Sequence, residues 1–301
     1  MDEEAKSALS RRGMLSIAAS YILDWITVVV LVAVYVAVDF TTVEARFFNI
    51  TDPELAFPLR GNTVSTLMMI IIGFGVPLAI SVIVEIIFAW RLGKSWNWQF
   101  DLHHATLGLI QTHAVGLLFT NCIKRFVGRV RPSGLVRKAE GDKDWNLSYV
   151  SGHTSFCFAG MTFLALYLSA KFGIFSDDGV FAALRRTKTS PRTDPYRGTF
   201  PAAVICLCLP IALSTYVGAT RLTDYAHFFA DVNGGAGVGV FAGIIGYHVV
   251  FPAVSVDHAH LCRPLARAAR IKDDPTGIHE DTPNTSAIRQ DMHEEAVIDA
   301  V

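Results

Sequence analysis

Three short clusters of polar and charged residues have the chemistry of a phosphoryl-transfer site that works without a metal ion. They span residues 124–132, 151–153 and 221–231, and each adjoins a long apolar run. Charged groups at a membrane boundary are costly and usually functional. Phosphoryl transfer spreads charge over three equatorial oxygens, so fixed cations beside a histidine could catalyse it. The candidate site residues are Lys124, Arg131, Ser151, Gly152, His153, Arg221, His227 and Asp231.

The first two clusters supply cations and a proton donor. Lys124 and Arg131 are seven residues apart, which is two turns on a continuing helix, and Pro132 would end the helix at Arg131. Arg125 and Arg129 we interpret as cations that extend to lipid headgroups. In the second cluster, a serine can cap the next helix, a glycine admits close approach of a ligand, and the helix N-terminus favours an anion. His153 could then donate a proton to a leaving group.

The third cluster supplies a nucleophile. His227 and Asp231 are four residues apart at the entrance of the last apolar run, so they would share a helix face. The carboxylate could accept a hydrogen bond from one ring nitrogen and leave the other free to attack phosphorus. Arg221, six residues upstream of the histidine, adds another cation.

The elements that must position these clusters are membrane helices. Of 301 residues, 51% are hydrophobic and only 18% are charged, against about a quarter in soluble domains. Five segments contain no Asp, Glu, Lys or Arg, and a sixth carries only Asp24; each could cross a hydrocarbon core with about 20 residues. We therefore predict an all-α polytopic protein with six transmembrane helices. The six segments are 22–38, 61–84, 102–123, 145–170, 198–220 and 232–256.

The cations beside these segments predict the topology. Segments 6–12, 91–94, 185–197 and 263–272 are basic and would share one side, which should be cytoplasmic. Both termini would then lie in the cytoplasm and all three clusters on the lumenal or extracellular face, in an endomembrane or the plasma membrane. The basic loop 124–144 contradicts this charge rule, and binding of an anion would explain the exception.

Outside the clusters, the sequence predicts one catalytic domain with polar ends. We expect a cytoplasmic leader at 1–20, a six-helix domain at 21–255, and a largely disordered cytoplasmic tail at 256–301. Near the predicted inner ends of the helices, Lys171 would extend to the headgroups. We interpret four other ionisable residues near these inner ends as structural: Asp24, Glu85, His103 and His104.

The combined motifs resemble the signature of the type 2 phosphatidic acid phosphatase (PAP2) superfamily. The similarity covers roughly 20–255, including the outer stretch 52–64, and implies a PAP2/haloperoxidase-like helical core. Two positions depart from the family pattern: Val150 stands where proline is usual, and Thr220 where serine is usual. Threonine keeps the hydroxyl group, so that change is mild. Loss of the proline removes a backbone constraint but no catalytic group, which puts efficiency or substrate choice in question rather than the reaction.

The resemblance implies a phosphohistidine on His227, with Asp231 orienting that ring and His153 protonating the leaving group. Phosphoryl oxygens would be held by Lys124, Arg131, Ser151, Gly152 and Arg221. The implied enzyme is a lipid phosphate phosphatase acting on phosphatidate, diacylglycerol pyrophosphate or related lipids, independent of Mg²⁺ and of any cofactor.

The expected partner is a lipid phosphate in the membrane; no nucleic-acid partner is expected, and a homo-oligomer is possible. The alternatives are a lipid phosphotransferase of the same superfamily and a non-catalytic lipid-binding or transport protein. A transporter would more typically show internal symmetry, and a silent relative would be expected to have lost one of the two histidines.

Overall fold

A computed structural model describes residues 19, 21–92, 97–176 and 199–273, and over these ranges the regular elements are all helical. Helix α2 contains a π-helical turn at Ile71–Gly75, and α6 contains one at Val204–Cys208. The helices are α1 Ile22–Asp39, α2 Thr66–Ile70 continuing as Val76–Leu92, α3 Trp98–Val127, α4 Gly134–Ala139, α5 Gly152–Phe172, α6 Thr199–Ala203 continuing as Leu209–Thr223, α7 Phe229–Val250 and α8 Arg263–Asp273.

Six of these helices are long and apolar enough to cross a membrane, which confirms the predicted fold class. They are α1, α2, α3, α5, α6 and α7, with apolar spans of 18 to 30 residues. Helix α5 lies at the centre, where most of its side chains are buried, whereas α1 lies at the edge and buries only Val28. Because consecutive spans run in opposite directions, the end of α3, the start of α5, the end of α6 and the start of α7 share one end of the bundle, here called the site end.

A stripe of glycines lets α7 approach α5 closely. Gly235, Gly239 and Gly243 recur at every fourth position on α7. A Cβ atom on Gly239 would lie 2.5 Å from the Ser155 carbonyl oxygen, so only glycine fits there without displacing α5. At the site end, the Ser151 backbone N–H donates to the Asp231 carbonyl at 2.9 Å. The two helix starts that carry catalytic candidates are thereby fixed side by side.

The π-helical turn of α2 gives a second close contact with α5. A Cβ atom on Gly160 would lie 1.7 Å from the carbonyl oxygen of Gly73, so backbone meets backbone at this crossing. The contact holds α2 against the central helix. The outer segment that leads into α2, residues 52–65, is consequently held at the site end.

Buried charges hold the opposite end of the bundle together. Lys171 Nζ contacts Glu85 Oε1 at 2.7 Å and Asp101 Oδ2 at 3.0 Å, and Tyr167 donates a hydrogen bond to the same glutamate at 2.7 Å. All four side chains are buried. The prediction that Lys171 extends to the headgroups was wrong, because two carboxylates on neighbouring helices neutralise it inside the protein.

The chain beyond residue 255 differs from the predicted disordered tail as far as Asp273. Residues 256–262 form turns that lead into α8, whose run of alanines favours a helix. Ala259, Cys262 and Ala266 are buried, and the Cys262 N–H donates to Asp101 Oδ1 at 2.9 Å. Residues 274–301 of the predicted tail, residues 1–18 and 20 of the predicted leader, and residues 93–96 and 177–198 lie outside the described residues.

Candidate active site

The three sequence clusters meet at the site end. A Cβ atom on Gly152 would lie 3.7 Å from Lys124 Cε, so the first cluster touches the second. Arg131 Nη1 lies 3.2 Å from His227 Nε2, which joins the first cluster to the third. The Ser151 N–H donates to the Asp231 carbonyl, which joins the second cluster to the third, and the His227 N–H donates to the Arg221 carbonyl at 3.3 Å. The three clusters therefore form one connected group, with His153 next to Gly152 at the start of α5.

Lys124 and Arg131 do not lie on one helix face, contrary to the prediction. Helix α3 ends at Val127, and Gly128 follows in the left-handed region with φ 58°, which turns the chain away. Lys124 therefore lies in the last helical turn and Arg131 lies in the loop beyond it. Lys124 Nζ donates to the Leu147 carbonyl at 2.7 Å, which uses one of its three hydrogens.

Arg131 is a buried cation held by backbone carbonyls. Its Nε donates to Asp144 O at 2.8 Å, and its Nη1 donates to Ala226 O at 3.0 Å. Burial lowers the pKa of Arg131 to about 10, so the guanidinium stays charged at neutral pH. Its Nη2 donates to none of the described residues, which leaves that edge of the fork for an anion.

The second cluster lies at the start of α5, as predicted, but Ser151 caps the helix with its backbone only. Its hydroxyl accepts a hydrogen bond from Thr154 Oγ1 at 3.0 Å and makes no capping bond. His153 is half-buried in the first turn of α5. Its Nε2 is buried with no hydrogen-bond partner among the described residues, as expected of an atom that acts on a ligand.

The surroundings of His227 fix which ring nitrogen carries the proton. Nδ1 lies 2.8 Å from the Ser148 carbonyl, which can only accept, so Nδ1 is the protonated nitrogen. Nε2 faces an arginine that can only donate, so Nε2 keeps its lone pair. Burial, and next the charge of Arg131, lower the pKa of His227 well below its usual range. The ring is neutral at pH 7, with a nucleophilic nitrogen beside a cation.

Asp231 does not accept the predicted hydrogen bond from the histidine ring. His227 precedes α7, so the two residues do not share a helix face, and Asp231 Oδ2 lies 3.8 Å from Nδ1. The fully buried carboxylate instead accepts hydrogen bonds from Ser148 Oγ at 2.5 Å and the Phe228 N–H at 2.9 Å. Arg129 Nη1 contacts its other oxygen at 2.8 Å. Asp231 thus organises the groups around the ring and places a negative charge close to it.

Arg221 is positioned by the outer segment that precedes α2. Its Nη1 donates to Asn62 Oδ1 at 3.0 Å, and its Nη2 donates to Asp224 Oδ2 at 2.6 Å. Asp224 also accepts from the backbone N–H of Thr63 at 2.9 Å and from its hydroxyl at 2.6 Å. Two consecutive residues of this segment, Asn62 and Thr63, therefore contact the site.

Several residues of the site were missed or misjudged from the sequence. Arg129 pairs with Asp231 rather than extending to headgroups, and its guanidinium also lies 4.2 Å from the Phe228 ring centroid. Arg125 pairs with Asp39 at 2.7 Å and so ties α1 to α3. Ser148 and Asp224 carried no sequence signal beyond their nearness to the motifs, because their roles depend on contacts distant in the chain.

No metal-ligand cluster is found in the part of the chain that the structure describes. Nowhere in these ranges do three His, Cys, Asp or Glu side chains come together as ligands would. The site instead gathers cations around a neutral histidine with a lone pair on Nε2. This arrangement can hold the oxygens of a phosphoryl group and present a nucleophile to its phosphorus.

Comparisons with known proteins define the class to which this fold and site belong. A family model described as the PAP2 superfamily matches residues 105–255, so the chain belongs to the PAP2 superfamily. With six membrane-crossing helices, it is an integral multi-pass membrane protein. No solved structure gives a significant match.

Curated relatives resemble most of the described chain. A PA-phosphatase related-family protein of Dictyostelium discoideum is 31% identical over 212 residues, 69% of this chain and 68% of its own. Probable lipid phosphate phosphatase 4 of Arabidopsis thaliana is 31% identical over 260 residues, covering 78% and 74%. Probable diacylglycerol pyrophosphate phosphatase 1 of Schizosaccharomyces pombe is 27% identical over 220 residues, covering 66% and 70%.

Proposed function

We propose that the protein is a lipid phosphate phosphatase that works through a phosphohistidine on His227. One observation carries the proposal: His227 Nε2 keeps its lone pair at 3.2 Å from the buried Arg131 guanidinium, where phosphoryl oxygens would bind. Membership of the PAP2 superfamily and relatives named as lipid phosphate phosphatases support the same activity. The membrane helices favour a substrate whose acyl chains remain in the bilayer.

In the first step, His227 Nε2 attacks phosphorus. The bond from phosphorus to nitrogen forms, the bond to the leaving oxygen breaks, and protonated His153 gives its proton to that oxygen. The imidazole ring gains positive charge, which Asp231 at 3.8 Å and the Ser148 carbonyl stabilise. Lys124, Arg131 and Arg221 hold the phosphoryl oxygens, together with Ser151 and the backbone N–H of Gly152.

In the second step, water releases the phosphate. The His153 ring, now neutral, accepts a proton from a water molecule whose oxygen attacks phosphorus, and the bond to His227 breaks. Inorganic phosphate leaves, and both histidines return to their starting protonation states. The cations can neutralise the phosphoryl oxygens, so we propose that turnover needs no Mg²⁺ and no cofactor.

The physiological substrates we propose are phosphatidate and diacylglycerol pyrophosphate. In both, a terminal phosphate could enter the site end while the acyl chains stay among the lipids. We further propose that the site end faces the lumen or the extracellular space, with both termini cytoplasmic and residues 21–255 as the catalytic domain. The charge pattern beside the helices supports this orientation.

The proposal is tested by phosphate release from short-chain phosphatidate and diacylglycerol pyrophosphate in detergent, with EDTA present. We expect the wild-type chain to release phosphate and the His227→Ala variant to lose at least about a thousandfold in kcat. A large loss of wild-type turnover in EDTA that Mg²⁺ restores would refute metal independence. Equal rates for variant and wild type would show that another group is the nucleophile.

A further inference from the structure

An exposed arginine lies at the rim of the site on the same outer segment that positions Arg221. Arg60 precedes Asn62 by two residues, and Tyr225 precedes His227 by two. The Arg60 guanidinium carbon lies 4.6 Å from the centroid of the Tyr225 ring, and its Nη1 donates to Thr223 O at 3.3 Å. Both contacts place its charge beside the loop that ends in the proposed nucleophile.

The residues around Arg60 are held in place by ring stacking and hydrogen bonds. The Tyr225 ring stacks on Phe57, with centroids 4.7 Å apart and planes 24° from parallel. The Phe57 N–H donates to Pro132 O at 3.3 Å, and Ser133 Oγ donates to Tyr225 O at 3.1 Å. Phe57, Tyr225 and Arg60 thus form a stack anchored to the loop that carries Arg131. The other guanidinium hydrogens of Arg60 donate to none of the described residues.

The charges of the inner site already balance one phosphate group. Four cations, Lys124, Arg129, Arg131 and Arg221, face two buried carboxylates, so these six side chains carry a net charge of two positive. The protonated His153 of the first step adds one positive charge, which acts on the leaving oxygen. A phosphate monoester carries about 1.5 to 2 negative charges at pH 7. A diphosphate headgroup carries additional negative charge on its inner phosphate. His153 acts on the bridging oxygen of such a substrate, so the non-bridging oxygens of the inner phosphate need a further cation. The two carboxylates are Asp224 and Asp231.

We propose that Arg60 binds the non-scissile phosphate of a diphosphate lipid and so makes the site selective for diphosphate over monophosphate headgroups. This inference rests on the proposed function, since it names the substrate class that the same site prefers. The scissile terminal phosphate occupies the inner site, and the inner phosphate lies at the rim, where a charge-assisted hydrogen bond to Arg60 compensates its charge.

The first test measures binding without turnover. We expect isothermal titration calorimetry of the full chain in detergent to show methylenediphosphonate binding about tenfold more tightly than orthophosphate, because a second phosphonate group gains a charge-assisted contact. Arg60→Gln should abolish this preference and Arg60→Lys should keep most of it. Equal affinities in the wild type, or an unchanged preference in Arg60→Gln, would overturn the proposal.

The second test compares kcat/KM for diacylglycerol pyrophosphate and phosphatidate. Arg60→Gln should lower the ratio of the two values about tenfold, since only the diphosphate loses a contact. Arg46→Gln, which changes an exposed arginine of the loop that follows α1, should leave the ratio unchanged. An equal loss on both substrates would mean that Arg60 contacts bulk lipid or supports the fold, and would overturn the proposal. A wild-type chain that binds selectively but releases no phosphate would refute the proposed function alone.

Discussion

The position of the proton on the His227 ring is set by two neighbours, one of which can only accept a hydrogen bond and the other only donate one. The Ser148 carbonyl can only accept at Nδ1, and Arg131 can only donate at Nε2. The pattern His-x-x-x-Asp suggested that the carboxylate fixes the tautomer, but that function falls to a backbone carbonyl. The aspartate acts from 3.8 Å through its charge and through the groups that it holds.

The protonation of His227 gives a pH prediction. Because burial lowers the pKa of this ring in the folded protein, protonating it costs stability, and the neutral form should persist as pH falls through the ordinary value of about 6.5. Nitrogen NMR of ¹⁵N-histidine-labelled protein at pH 6 should show a protonated Nδ1 and an unprotonated Nε2. His227→Asn assigns the signals, and a cationic ring at pH 6 would contradict the account.

Arg129 gives a second prediction at the residue scale. Arg129→Gln leaves the buried Asp231 carboxylate without its cation, and the loss of a charge-assisted contact is worth about 1.5 to 3 kcal/mol. Since Arg129 is partly exposed, we expect the low end of that range, about a tenfold fall in kcat. Steady-state kinetics on phosphatidate measure it.

Arg125→Gln is the matched control, because Arg125 pairs with Asp39 away from the site. If both variants lost the same activity, the role of Arg129 would be structural only.

At the scale of elements, the segment before α2 holds Arg221 and its partner Asp224 in place. Thr63→Val removes the 2.6 Å hydrogen bond from the hydroxyl to Asp224, the carboxylate that pairs with Arg221. We expect kcat/KM to fall about tenfold, because a hydrogen bond to a charged acceptor is lost.

Thr215→Val on α6 provides the control. The Thr215 hydroxyl bonds its own helix at the Ile211 carbonyl and faces outward, so its removal should change kcat/KM by less than about twofold. Equal effects of the two valine substitutions would exclude a positioning role for the outer segment.

The glycine stripe of α7 gives a prediction about packing. A methyl group at Gly239 would meet the backbone of α5, so Gly239→Ala should destabilise the fold by about 1 to 3 kcal/mol and lower activity with it. Gly237 lies on the same helix, and a Cβ atom added there would have no neighbour within 4 Å, so Gly237→Ala should leave the melting temperature unchanged or slightly raised. Thermal unfolding in detergent measures both variants. A higher melting temperature for Gly239→Ala than for Gly237→Ala would contradict the close contact of α7 with α5.

At the scale of the whole molecule, N-glycosylation tests the orientation. Two acceptor sequences, Asn49-Ile50-Thr51 and Asn146-Leu147-Ser148, fall on the predicted outer side. Asn49 is exposed at the site end, whereas Asn146 is buried and donates to the Val43 carbonyl at 3.3 Å. If the site end faces the lumen of a glycosylating cell, an endoglycosidase should shift the gel mobility of the wild type and of Asn146→Gln, but not of Asn49→Gln. Failure of the wild type to shift would count against the proposed orientation.

Much of the molecule follows from its sequence because the membrane imposes simple rules. Charge-free runs predicted six spans, and alternation of direction predicted that three separate motifs share one end. Contacts between distant segments were beyond this reasoning: the ion pair of Lys171 with Glu85 and Asp101 joins three helices, and the bond of Ser148 to Asp231 spans 83 residues. The end of α3 was also predicted wrongly, because Gly128 ends the helix before Arg131.

The central claim is that His227 carries the phosphoryl group during turnover. The most direct measurement is acid-free quenching of the enzyme during turnover of ³²P-labelled phosphatidate, followed by mapping of the labelled residue. We expect label that survives alkali, is lost in acid and maps to His227, with none in His227→Asn. Label on another residue, or phosphate release by His227→Asn at the wild-type rate, would contradict it.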